Sequence, residues 1–436
     1  MPFPKIAAVI SALALFAPLA GAQPKPDAKQ AYRYDDAKQY DKALPLLRAA
    51  AKAGDSESVR RIGAMYMSGH GLPIDQKLAV VWYRKAADAG NARAMRDLGI
   101  AFSYGHGVPQ DDKQAAVWYR KGARAGDNVA MTTIGWMYET GRGDFAKDDK
   151  QAAYWYRMGA DHGYRVAMYD LGRMYMMGRG LPKNEPQGIE WFRKAAVLGD
   201  TSAMNMLGHL EESGQGGLPK DETKAVEWFR KSAALGNPLG MNNLGWKYWQ
   251  GVGGLSKDGA KAVEWYRKGA AGGDGYAKNN LGWMYLNGFG GLPKDEAKAA
   301  EWYKKAAQKR HPEAMTSLGF MYQNGRGGLP KDLVTAESMY KLAASLGSAA
   351  AMNNLGWMYF KGLGGLNKDA VAAADWYRKS IARGDAKAMV NLGYLYETGV
   401  GGMPKDLNQA ASWYEKAIKA GNQDARKSLA RVRSAH

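Results

Sequence analysis

Residues 351–385 read AMNNLGWMYFKGLGGLNKDAVAAADWYRKSIARGD, and the reading of this stretch decides the fold. Ala351, Leu355, Met358 and Tyr359 recur at i, i+4, i+7 and i+8, the spacing of one face of an α-helix. Gly356 sits beside that face and leaves room for a neighbouring helix. Lys361-Gly362-Leu363-Gly364-Gly365 is a glycine-rich stop. Asn367-Lys368-Asp369 leads into a second helical segment, with Asp369 a good N-cap because its carboxylate can accept from the first free backbone N–H groups. That segment carries Ala373, Trp376, Tyr377 and the pair Ile381-Ala382, stops at Gly384, and is followed by Asp385, which opens another unit of the same kind.

Working outward, the pattern recurs in strict phase. A Leu-Gly or Ile-Gly pair stands at Ile62-Gly63, Leu98-Gly99, Ile134-Gly135, Leu171-Gly172, Leu207-Gly208, Leu244-Gly245, Leu281-Gly282, Leu318-Gly319, Leu355-Gly356 and Leu392-Gly393. An aromatic pair such as Trp82-Tyr83, Trp228-Phe229, Trp302-Tyr303 or Trp413-Tyr414 follows each, with Met339-Tyr340 in one copy. Both series step by 36 or 37 residues over ten copies. Neither helix of a copy can bury its apolar face alone, so stacked pairs must bury them against each other. The expected fold is all-α: an α/α solenoid of about ten helix pairs over residues 55–421. A degenerate helix pair over 23–54 precedes it, with Pro45 in the first turn of its second helix. A polar cap helix over 422–436 follows, marked by Arg426, Lys427, Arg431 and Arg433 around Leu429.

The copy Ala-Met-x-Asn-Leu-Gly-x-Met-Tyr-x-x-Gly-x-Gly-Gly-Leu-Pro-Lys-Asp, followed by Trp-Tyr-Arg-Lys-Ala-Ala and Gly-Asp, closely resembles the SEL-one-like repeat, a relative of the tetratricopeptide repeat. The resemblance covers nearly the whole chain after its N-terminus. It implies a right-handed superhelix of antiparallel helix pairs and an adaptor role in assembling complexes. Some exported, cysteine-rich members of the family are linked to β-lactam binding or hydrolysis. Their disulfide in each repeat has no counterpart in this chain, which has no cysteine.

Residues 1–22 read as a secretory signal. Lys5 is its only charge, Ile6 to Leu19 is apolar apart from Ser11 and Pro18, and Ala20-Gly21-Ala22 is a small-residue cleavage site before Gln23. The competing reading is a retained membrane anchor, but the apolar run is shorter than the ~20 residues a spanning helix needs. The expected location is periplasmic or secreted. Without cysteine, disulfides, thiol catalysis and cysteine-ligated zinc are excluded. The net charge of +19 suits anionic partners: acidic proteins, an acidic polymer or cell-wall fragments, with nucleic acid set aside by export and no stable membrane insertion expected.

No catalytic constellation stands out. Ser338-Met339-Tyr340-Lys341 has the Ser-x-x-Lys spacing of β-lactam enzymes, but the companion motifs are missing and Lys341 fills a position that is basic in most copies. Gly288-Phe289-Gly290-Gly291-Leu292-Pro293-Lys294 resembles a phosphate loop but lacks the Gly-Lys-Ser/Thr ending and recurs as a turn in most copies. His70 and His106 occupy equivalent loop positions without fixed partners, too few for a metal site. No catalytic residue, metal or cofactor is expected.

The candidate site is the inner face of the first helices, opposite Leu355 and Met358. It carries Asn242, Asn243, Trp246, Trp249, Asn279, Asn280, Trp283, Phe320, Gln323, Asn353, Asn354, Trp357, Phe360, Asn391 and Tyr394. Asparagine offers donor and acceptor together, and exposed aromatic rings supply contact area. The same positions in early copies carry Arg60, Arg61, Arg96, Asp97, Asp170 and Arg173, a charged and mainly basic track. In the alternative reading the tryptophans pack between copies and the asparagines bridge adjacent helices. A lysine row (Lys183, Lys220, Lys257, Lys294, Lys331, Lys368, Lys405) precedes the second helices, as an electrostatic stripe or a solvated edge. The expected function is a non-enzymatic scaffold for a protein or peptide in the bacterial envelope. Recognition of cell-wall glycan or muropeptide is the alternative, and a β-lactam-interacting enzyme the remotest one.

Overall fold

The computed structural model describes residues 26–434. The expected signal peptide, 1–22, lies outside the described residues. Among these, the regular structure is 23 α-helices and no strand. The chain divides into two compact units at Ala203/Met204.

The first unit holds α1 (Pro26–Asp36), α2 (Tyr40–Lys52), α3 (Ser56–Ser68), α4 (Gln76–Asp88), α5 (Ala92–Tyr104), α6 (Asp112–Arg124), α7 (Asn128–Thr140), α8 (Asp149–Asp161), α9 (Arg165–Met177) and α10 (Glu185–Val197). The division falls in the first turn of α11 (Thr201–Ser213). The second unit continues with α12 (Glu222–Ala234), α13 (Pro238–Gln250), α14 (Gly259–Ala271), α15 (Gly275–Asn287), α16 (Glu296–Ala307), α17 (Pro312–Asn324), α18 (Leu333–Ser345), α19 (Ala349–Lys361), α20 (Ala370–Ile381), α21 (Ala386–Thr398), α22 (Leu407–Lys419) and α23 (Ala425–Ser434). From α3 to α22, odd helices are the first and even helices the second of each copy.

The local signals act as their chemistry requires. Asp369 accepts from the backbone N–H of Val371 at 2.9 Å and of Ala372 at 2.8 Å, starting α20. Equivalent aspartates or asparagines cap the other second helices, for example Asp148 and Asn184 in the first unit and Asp295 and Asp406 in the second. Pro45 is a correction: α2 begins at Tyr40, so Pro45 stands inside the helix rather than in its first turn. No proline N–H is there to meet the Asp41 carbonyl, so α2 lacks one of its internal hydrogen bonds.

The glycine of each Leu-Gly pair answers to the aromatic pair of the same copy. A β-carbon on Gly356 would lie 2.5 Å from the Tyr377 ring, and one on Gly99 would lie 2.6 Å from Tyr119. The glycine-rich loop has a different contact. Gly364, at φ +72°, packs so closely on the preceding copy that a β-carbon would lie 2.5 Å from the Leu333 carbonyl oxygen of α18. The loop is a joint between copies, which explains why it recurs.

Cores are shared between copies. One cluster in the second unit joins Ala336, Tyr340 and Ala343 of α18 to Ala351, Leu355 and Met358 of α19. In the first unit Ala79, Tyr83 and Ala86 of α4 meet Ala94, Leu98 and Ala101 of α5 in the same way. Burying a side chain such as Leu355 contributes on the order of 2 kcal/mol.

Candidate binding face

On each first helix, the two residues before the Leu-Gly pair face along the stack. In the first and second copies they are charged and paired, whereas Thr132 and Thr133 stand there in the third. Arg60 reaches Asp97 of the next first helix at 3.0 Å and Glu57 of its own at 2.8 Å. Arg61 pairs with Asp35 at 2.6 Å and Asp36 at 2.7 Å, and Arg96 with Asp127 at 3.1 Å. Nearby, Arg173 pairs with Asp170 at 3.1 Å and Glu139 at 3.2 Å. The positions read as a basic track are thus neutralised by carboxylates, several of them outside the pattern read from the sequence. Burial pushes the Asp170 carboxyl up to about 6, with Arg173 opposing the rise.

In the second unit the same places hold neutral bridges. Asn280 donates to the side-chain oxygen of Asn242 at 2.9 Å, and Asn391 to that of Asn353 at 2.8 Å. Asn205 donates to the Asn237 side chain at 3.1 Å, and the Thr316 and Ser348 hydroxyls lie 3.0 Å apart. Asn242 and Asn243 are buried and bonded to each other at 3.3 Å. Asn243 also meets the His209 imidazole at 3.3 Å. These amides therefore join copies. Asn279 and Asn354 are half-buried. Gln323 accepts from the Tyr340 hydroxyl at 3.0 Å.

The aromatic residue just after each Leu-Gly pair behaves differently. Trp246, Trp283, Phe320, Trp357 and Tyr394 stand at this place in five consecutive copies. Trp246 is 39% exposed, Phe320 44% and Tyr394 43%. Trp283 and Trp357 are half-buried. One turn further, Trp249 packs edge-on to Trp283 at 5.2 Å and against Phe289 at 5.0 Å, and Phe360 packs edge-on to Tyr394 at 6.0 Å. Rings thus serve both ends: some edges lock neighbouring copies, while other faces meet solvent. A cavity of about 610 Å³ opens beside this row, lined by Phe320, Asn353 and Asn354 among others.

A second polar feature in this unit was not legible as a site. Lys247 is 1% exposed and bonds Glu212 at 2.5 Å and Glu222 at 2.8 Å. Burial pushes the Glu212 carboxyl up, but the Lys247 ammonium outweighs it and holds the group below its ordinary range. The signal in the sequence was a lysine where other copies have Met, Leu or Ala.

The remaining candidates are placed as follows. Ser338 is exposed, and Lys341 is engaged by Glu337 at 2.5 Å. His70 stacks on Tyr40 and His106 on Tyr104. Among the described residues no group of three or more His, Cys, Asp or Glu could hold a metal ion, and no helix is long and apolar enough to cross a membrane. In the lysine row, Lys183 pairs with Glu185 at 2.7 Å and Lys257 lies over the Trp249 ring. Glu227, Glu264 and Glu301 are exposed.

The family model described as Sel1 repeat matches residues 56–91, 92–127, 129–164, 165–200, 201–237, 238–274, 275–311, 312–348, 349–385 and 386–422. Among solved structures, a protective antigen of uropathogenic Escherichia coli strains with an SLR fold is 30% identical, with 95% of this chain and 88% of that one covered at a TM-score of 0.60. A Sel1 repeat protein from Oxalobacter formigenes is 33% identical, with 59% of this chain and 100% of that one covered at a TM-score of 0.52. No curated protein sequence matches the chain.

Proposed function

Because the chain belongs to the Sel1 repeat family, whose members are generally protein-binding scaffolds, we propose that it is a non-enzymatic adaptor of the bacterial envelope that holds an extended segment of a protein partner against the inner face of its second unit. The observation that carries this reading is the aromatic row from Trp246 to Tyr394, in which three rings stay more than a third exposed. Aromatic side chains exposed in series are what an interface uses, since they supply large contact area at small cost in conformational freedom. The amide bridges hold the helices at fixed spacing, so the row is presented on a rigid support. Export, expected from residues 1–22, places the partner in the envelope.

A photo-crosslinking residue in place of Phe320, in cells with intact envelopes, tests the reading, with the same residue in place of Lys294 on the loop edge as control. A discrete protein captured from position 320 and not from 294 is expected. Capture of cell-wall fragments at 320 would favour glycan recognition instead. Capture from 294 alone, or from neither position, would leave the aromatic row as packing only.

A further inference from the structure

The cavity beside the aromatic row has charged as well as apolar residues on its lining. Its lining includes the ring of Phe320, the buried Met321, and the amides Asn353 and Asn354. Three cations line it: Arg326, Arg383 and Lys387. They are not equivalent. Arg326 is bonded to Glu296 through both Nε and Nη2, so its charge is matched. Arg383 and Lys387 are exposed, and neither forms an ion pair among the described residues. The one acid on the lining is Asp385, whose carboxylate oxygens accept from the Ser380 hydroxyl at 3.0 Å and the Lys387 backbone N–H at 2.9 Å; its charge offsets one of the two cations and leaves the lining net positive.

The guanidinium of Arg383 lies across Gly347, within 2.8 Å of where a β-carbon would stand. It therefore rests on the backbone of the neighbouring copy at the cavity edge, with its charge left toward solvent. The cavity thus combines an aromatic ring, amide N–H groups that can donate to a peptide backbone, and two cations without ion-pair partners that outnumber the one acid on its lining. We infer that its occupant is an acidic stretch of the partner polypeptide, with an apolar side chain on Phe320 and an Asp or Glu carboxylate beside it meeting Arg383 and Lys387. This deepens the adaptor reading and rests on it. Charge complementarity selects the occupant: a neutral segment would leave the net positive charge of the lining unmatched, and a basic one would be repelled by it and by a chain of net charge +19.

The test is a selection of random displayed peptides on the immobilised full chain, run in parallel on the Arg383→Gln/Lys387→Gln double variant and on Phe320→Ala. From the native chain, peptides with Asp or Glu adjacent to an aromatic or aliphatic residue are expected to be enriched. The double variant should lose the acid preference and keep the apolar one. A selected peptide, labelled and titrated by fluorescence polarisation, should bind the double variant at least about tenfold more weakly, with the native affinity falling as salt rises. Because both substituted residues are exposed, the variant's helicity should be unchanged, and circular dichroism checks this. Enrichment without acids, or the same acids from the double variant, would overturn the inference while sparing the adaptor reading. No enrichment from the native chain, or enrichment unaffected by Phe320→Ala, would overturn both.

Discussion

The Tyr377 ring of α20 lies directly on the α-carbon of Gly356 in α19, close enough that a methyl group there would stand 2.5 Å from it. Alanine is the better helix former by about 1 kcal/mol, so the helix alone would favour Gly356→Ala. The ring reverses the sign: the overpacked variant is expected to lose about 2 kcal/mol. The urea midpoint and amide exchange over residues 349–381 measure this. Adding Tyr377→Leu to Gly356→Ala should restore part of the loss, a non-additivity that independent sites would not show. Unchanged or increased stability of Gly356→Ala would remove the ring contact as the reason for the glycine.

Lys247 occupies a place filled by Met284, Met321 and Met358 in the following copies. Its two acidic partners, Glu212 and Glu222, have side chains 30% and 29% exposed, so each can turn to water if the ammonium is removed. Lys247→Met is therefore expected to stay within about 1 kcal/mol of the native chain at neutral pH, whereas Lys247→Ala leaves a cavity and should cost about 2–4 kcal/mol. The lowered Glu212 carboxyl sets the direction with pH. Its stabilisation is present above the unfolded value and is lost as pH falls through the folded one, so acidification should weaken the native chain more than the Met variant. Thermal melts across an acid series check both statements. A large loss at neutral pH in Lys247→Met would show that the ion pairs, not the space they fill, hold this part of the stack.

Asp170 works in the opposite sense. Burial raises its carboxyl from 3.8 to about 6, Arg173 notwithstanding. A raised folded value favours the protonated acid in the fold. That contribution is complete below the unfolded value and disappears as pH rises through about 6. Asp170→Asn removes the titration. The stability of the variant relative to the native chain should therefore rise by on the order of 2–3 kcal/mol between about pH 4 and pH 7. Denaturant unfolding at the two pH values reads this difference. A flat difference would mean that Arg173 and solvent already keep the carboxylate ionised.

What could be read from the sequence was what local chemistry determines. The helix spans, the Asp369 cap and the Gly362 stop follow from spacing and from residue types within one copy. The partner of Asn353 did not: it is Asn391, in the next copy, and only the register between stacked helices decides whether an amide points along the stack or away from it. For the same reason Arg60 and Arg61 read as part of a charged, mainly basic track, when Asp35, Asp36 and Asp97 reach them from neighbouring helices. Arg383 was legible in principle, since Ala89 and Leu235 stand at its place in other copies. It lies between α20 and α21, however, where helical periodicity assigns no face.

The contact of Gly364 with the α18 carbonyl makes each copy depend on its successor. Gly327 packs in the same way on Glu296, and Gly290 on Gly259. A chain emerging N-terminus first from a ribosome therefore always trails one helix pair whose lid has not yet been made. Order of synthesis and order of closure coincide, and at any moment only the newest pair exposes its unsealed end to neighbours.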